Sequence, residues 1–163
     1  MNLILHILLS VLLGLAFYQD WKFRAISWLV FPLITIVALL IFLQPGGAWS
    51  NLGSNLTFVI VVIGSLFIYV SMREKKLTNI FENHFGIGDV LFFIAISPLF
   101  GSTNFILFFI SGMILSGTFH LIILKKVDQK TIPLAGYLSV YVVMLQCSVG
   151  LSGIDFFTRN FIQ

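Results

Sequence analysis

Charge is scarce in this chain. Only 9% of its 163 residues are Asp, Glu, Lys or Arg, against about 25% in a soluble domain. So few charges cannot cover a water-facing surface, which excludes a soluble globular domain, a disordered tail and a nucleic-acid binder. Cysteine is scarcer still. A lone Cys147 excludes a disulfide framework and a four-cysteine zinc site. HExxH does not occur, which disfavours a membrane zinc protease; no metal or cofactor is expected. The N-terminus lacks the basic stretch of a secretory signal, and no A-x-A-like site follows. The first apolar run is therefore read as a retained helix.

What the chain does have is apolar length. Hydrophobic residues make up 59%, and mean hydropathy is +1.07. A helix needs about 20 apolar residues to cross a hydrocarbon core roughly 30 Å thick. Uncharged runs cover Asn2 to Gln19, Ile26 to Leu43 and Asn55 to Met72. The stretch from Gln44 to Ser54 reads as a turn-rich loop. No charge occurs from Val90 to Leu124. One helix there would be about 50 Å long, too long for a single crossing. Gly101-Ser-Thr-Asn104 is a good turn. It divides the stretch into a short span, Val90 to Phe100, and a longer one, Phe105 to Leu124. With Ile132 to Leu151 the total is six. The expected fold is all-α, a polytopic membrane protein with six transmembrane helices in a single domain over residues 1–163.

The charges test that count. With six spans, the first, third and fifth loops share one side. They hold Lys22, Arg24, Arg73, Lys75, Lys76, Lys125, Lys126 and Lys130, eight of the nine basic residues. The ninth, Arg159, lies in the C-terminal tail. Basic loops stay inside, so these loops are expected in the cytoplasm and both termini outside. The net charge of +3 is then a topology signal. Five spans would split the basic loops between the two faces.

Ionisable residues at a membrane are where function is sought. Asp20 follows the first span and Asp89 opens the short fourth one. Taken alone, Asp20 is an interfacial residue beside Trp21, Lys22 and Arg24, and Asp89 a helix N-cap. Taken together, both belong to cytoplasmic ends of spans. The fourth span is too short to reach both surfaces, which recesses Asp89 below the cytoplasmic one. A recessed carboxyl is costly unless paired, protonated or in a wet cavity. Gly86 and Gly88 permit close backbone approach before it. Two facing carboxyls do not both ionise easily, and one neutral with one ionised aspartate can activate water on a peptide carbonyl. That chemistry needs no metal.

Gly86-Ile-Gly-Asp89 matches the GxGD motif of membrane aspartyl proteases. The order of an aspartate ending the first of six spans, a basic loop, then GxGD opening the fourth resembles the type IV prepilin peptidase family, peptidase part only. Asp20 and Ile26 have that family's Asp-to-Ile spacing. Lys130-Thr-Ile-Pro-Leu-Ala-Gly-Tyr137 resembles its IPFGPF-like stretch before the last helix. The resemblance implies Asp20 and Asp89 as the catalytic pair and a membrane-inserted prepilin-like precursor as substrate. The chain departs from the family at Ser27 and Trp28, where proline and asparagine are usual. It departs also at Leu91, where a lysine is frequent, and at Gly136, where the family has its second proline. The paired CxxC motifs of larger members are missing, so no methyltransferase activity is expected.

Other residues carry less. Glu82 and His84, just before GxGD, are candidates for a substrate entrance, though a solvated loop is the simpler reading. His6 and His120 read as interhelical hydrogen-bond partners. Gly150-Leu-Ser-Gly153 resembles the GxSG of rhomboid proteases, but no histidine follows His120. A Ser27–Lys22 pair of signal-peptidase type is formally available. Asn55-Leu-Thr57 is a glycosylation sequon abutting a span. The expected function is an intramembrane aspartic endopeptidase of an inner membrane, removing basic leaders at the cytoplasmic face. The rival is a non-catalytic membrane protein, an assembly factor or ion-pathway component with structural aspartates. The sequence does not determine the substrate, the cleavage site or the oligomeric state.

Overall fold

The computed structural model describes residues 3–44, 48–74, 86–124 and 133–152. Glu82 and His84 lie outside them, as do Asp128, Asp155, Arg159 and the lysines of the third and fifth loops. Among the described residues every regular element is helical. The helices are α1 (Leu3–Phe23), α2 (Val30–Phe42), α3 (Trp49–Glu74), α4 (Ile87–Ile96), α5 (Ser102–Leu124) and α6 (Leu134–Ser152). Three segments are long and apolar enough to cross a membrane: Leu3–Phe23, Trp49–Met72 and Ser102–Ile122. Val30–Phe42, Ile87–Leu99 and Leu134–Ser148 are shorter apolar helices.

Side-chain contacts fix the directions. His6, near the start of α1, meets Gln146, near the end of α6, while Asp20 at the far end of α1 meets Gly136 at the start of α6. These two helices are antiparallel and pack closely through Leu9, Leu13, Leu138 and Val142, all fully buried. The starts of α4 and α6 meet, and Phe31 at the start of α2 touches Gly88 at the start of α4. Asn55, early in α3, reaches Ser97 and Phe100 beyond the end of α4. Asn51 and Ser102 join the starts of α3 and α5. So α1, α3 and α5 run one way and α2, α4 and α6 the other.

The centre is filled by phenylalanine. Phe93 packs on Phe109, Phe58 on Phe105 and Phe109, and Phe100 on Phe105 and Phe108. Phe108 stacks on Tyr141 of α6. Lipid tails are as apolar as these rings, so what holds the helices is close packing with a few interhelical hydrogen bonds.

Several boundaries differ from the sequence reading. Helix α1 runs on to Phe23, which puts Asp20 inside its last turn instead of after it. Helix α2 begins at Val30, because residues 24–29 form the connector. Residues 49–54 are helical, not loop, and α5 begins at Ser102, leaving only Phe100 and Gly101 for the reversal. Asn55 is 1% exposed inside α3, so the sequon is no glycan site. The short fourth element is present as expected. Its 10 α-helical residues span about 15 Å and end in a 3-10 turn over Ser97–Leu99.

Candidate active site

The site is built at the start of α6. The first N–H groups of a helix have no partner within it and carry the positive end of its dipole. Tyr137 N–H closes the first bond, to the Pro133 carbonyl. That leaves the amides of Leu134, Ala135 and Gly136 to find acceptors elsewhere, since Pro133 has none to offer. Two of them find aspartates. The Ala135 amide donates to Asp89 Oδ1 at 3.0 Å, and the Gly136 amide donates to Asp20 Oδ2 at 2.6 Å. Consecutive peptide groups of one helix thus hold two carboxyls delivered by two others. Asp20 is buried and Asp89 partly so.

Two glycines make the approach feasible. A Cβ at Gly136 would stand 3.0 Å from Asp20 Oδ2, and one at Gly86 would stand 3.1 Å from Asp89 Oδ2. Both distances are tighter than ordinary van der Waals contact. Gly88 differs: a Cβ there would meet only Phe31 Cζ, at an ordinary 3.6 Å. The first glycine of GxGD therefore serves the carboxyl, and the second serves the packing of α4 on α2.

Two features describe how Asp89 is held. It is not an N-cap. Gly86 occupies that position with extended φ/ψ and no side-chain cap bond, while Asp89 sits within the first turn and bonds across to α6. Nor do α1 and α4 pack broadly against each other. Helix α1 packs on α2 and α6, and α4 packs on α2, α3 and α6. The carboxyls meet because α6 gathers them.

The surroundings are aromatic and basic. Trp21 lies edge-on to Tyr137, and Phe119 stacks on Tyr137. The Lys22 ammonium donates to Tyr18 Oη at 2.9 Å and lies over the Tyr18 and Phe23 rings, so it is not paired with Ser27. The Ser27 amide instead bonds Gln19 Oε1 at 2.8 Å, which ties the α1–α2 connector to the helix it leaves. Ile26, six residues after Asp20, packs on the core and pins the same connector.

Sequence reasoning missed Ala135 and Gly136 as donors. A signal existed: two small residues, one position beyond a proline, at the start of a helix on the same side as both aspartates. Gly136 also acquires a meaning as a departure. A proline there has no N–H to give, whereas glycine gives one and leaves room for Asp20.

The type IV leader peptidase family matches residues 7–122, well over half of the chain. The chain belongs to that family. It is a peptidase, a hydrolase of a membrane. The matched segment carries both aspartates and ends before α6, the helix that holds them together. Comparison with curated proteins and with solved structures returned no match.

Proposed function

We propose that this peptidase is an intramembrane aspartic endopeptidase in which Asp20 and Asp89 are the catalytic pair. One observation carries the reading: both carboxyls are seated on consecutive amides of α6, at distances of 3.0 and 2.6 Å. Pairing two carboxyls in a largely buried place is costly, and water-activating proteolysis is the chemistry that uses it. A water between them gives a proton to the ionised aspartate as its oxygen attacks the scissile carbonyl. The protonated aspartate gives its proton to the carbonyl oxygen. The tetrahedral intermediate then collapses: the C–N bond breaks, the amine leaves with the proton held by the first aspartate, and a hydroxyl of the intermediate returns its proton to the second aspartate. The products are a carboxylic acid and an amine, and both aspartates return to their starting states.

The substrate would be a prepilin-like precursor with a basic leader and a hydrophobic helix. In our reading all six helices cross the inner membrane, with both termini outside and the site at the cytoplasmic face. What supports this is the alternation of directions from α1 to α6 and the collection of basic residues in alternate loops. Basic leaders are retained inside by the same rule, so the leader–helix junction lies at the depth of the pair. The waist of aromatic rings and Lys22 beside the site is of the kind found at a membrane–water boundary.

The test is cleavage of a leader-bearing precursor by purified, folded protein in detergent. Asp20→Asn and Asp89→Asn should each abolish cleavage while the helical signal and melting behaviour persist, because removing a buried charge relieves a desolvation cost. Near-normal cleavage by either variant would falsify the mechanism. In a Cys147→Ser background, cysteines placed at positions 47 and 103 should react only from outside the cell; labelling from the cytoplasm would sink the topology.

A further inference from the structure

Two polar side chains of α5 are buried and have no part in the chemistry above. Ser116 is 2% exposed and His120 6%. Ser111 and Thr118 of the same helix bond back to the Leu107 and Ile114 carbonyls. His6, expected like His120 to be an interhelical partner, does meet Gln146. Ser116 and His120 make no hydrogen bond among the described residues. Buried polar groups left without a partner are costly and call for a reason.

Their placement supplies one. Phe109, Ser116 and His120 are spaced by seven and then four residues, close to whole turns, so they form one stripe along α5. Phe109 meets Phe93 of α4, with ring centroids 4.9 Å apart. Helices α4 and α5 run in opposite directions, so the way from that contact to the start of α4 is also the way to the end of α5. Asp89 stands one turn from Phe93 on its face of α4. Ser116 and His120 stand about two and three turns from Phe109 in the same direction. Contacts between α5 and α6 give the same depth. Gly112 lies against Leu138 and Tyr141, and Phe119 stacks on Tyr137. Ser116 and His120 are therefore level with the start of α6, where Ala135 and Gly136 hold the two carboxyls.

A helix cannot be cut while its backbone is closed on itself. Unwinding at the scissile bond frees N–H and C=O groups at a depth where lipid offers them nothing. An imidazole presents one donor and one acceptor, and a hydroxyl presents both. We propose that Ser116 and His120 are substrate-binding residues that receive the unwound backbone of the precursor beside the scissile bond. This rests on the reading of Asp20 and Asp89 as the catalytic pair. Before substrate arrives, the two side chains are unpartnered; with substrate in place, both are satisfied.

Binding is read first in the Asp20→Asn protein, which should hold a fluorescent leader-bearing precursor without cutting it. In that background His120→Phe should weaken binding about tenfold and Ser116→Ala about threefold. His120→Gln, which keeps a donor and an acceptor, should recover most of the loss. In the protein with both aspartates, the same variants should raise KM by similar factors with kcat within about twofold. Melting without precursor separates this role from a structural one. His120→Phe should hold or raise the melting temperature, because an unpartnered polar group leaves the interior. Ser116→Ala, a smaller change, gives the same comparison if the ring is not accommodated. A fall of about 2–4 °C in Ser116→Ala would mark a lost structural bond and overturn the proposal. Unchanged affinity in folded His120→Phe would overturn it too, and leaves the catalytic reading standing if the parent protein cleaves. If the parent cleaves no precursor and the Asp20→Asn protein binds none, the peptidase reading fails and this proposal falls with it.

Discussion

The two ends of the helix bundle solve the same problem with different chemistry. At the end with Asp20 and Asp89, the polar groups are carboxyls, and their donors are backbone amides of α6. At the opposite end the polar groups are neutral side chains. Ser10 Oγ donates to Gln146 Oε1 at 2.9 Å, and Gln146 Nε2 meets His6 Nδ1 at 3.3 Å. Asn55 Nδ2 donates to the Ser97 and Phe100 carbonyls at 2.9 and 2.8 Å. Neutral amide and hydroxyl contacts between helices are inexpensive and adaptable. Carboxyls held by rigid peptide groups are costly and leave little freedom. One end clamps the bundle, and in our reading the other end spends that rigidity on geometry.

The sharpest way to break this contrast is at the carboxyls. If the pair acts as one unit, the Asp20→Asn, Asp89→Asn double variant should be no slower than either single one, each down by roughly 10⁴-fold or more. Additive losses, read from single-turnover rates, would mean two independent roles.

Next come the glycines that admit the carboxyls. Gly136→Pro deletes the donor to Asp20, and Gly136→Ala puts a Cβ 3.0 Å from its oxygen. A displacement near 1 Å at a reacting group costs about 10²-fold, so both variants should lose about that much kcat. Gly86→Ala should be similarly impaired by its 3.1 Å approach to Asp89, while Gly88→Ala, with only an ordinary 3.6 Å contact to Phe31, should retain most activity. Equal kinetics for the two GxGD glycines would refute the division of labour between them.

Variants at the far end should change stability more than rate. Asn55→Ala strands two carbonyls at the end of α4, each worth about 1–3 kcal/mol when buried without a partner. Thermal melts should show a loss of that order, with the cleavage rate per folded molecule largely kept. A large kcat loss without a stability loss would mean that Asn55 sets the depth of Asp89 through α4. The smallest effect belongs to Gln146→Leu, about 0.6 kcal/mol by the average for hydrogen bonds between membrane helices, measured in the same melts.

Where the sequence misled, neutral polar residues were the cause. Ser50, Asn51 and Ser54 read as a turn, yet they lie in α3. Inside the helix Ser54 bonds back to the Ser50 carbonyl at 2.9 Å, and Thr57 bonds to that of Gly53 at 2.8 Å. Asn51 and Asn55 are satisfied by α5 and by the end of α4. The same residue types favour turns when no such partner exists, and partners from other helices are invisible in a local window.

Apolar run lengths and the placement of charge determined, without coordinates, that the chain is helical and membrane-bound. They also assigned both aspartates to helix ends on one side and made the fourth element short. These properties depend on what each residue costs in lipid, which is a local quantity. Only the tertiary structure decided how Asp20 and Asp89 come together. They meet through α6, without broad packing of α1 on α4, at amides that any sequence possesses and no side chain announces. Backbone donors carry no letter in the sequence. Which N–H groups stand unpartnered, and which distant carboxyls reach them, follows from where three helices end in space.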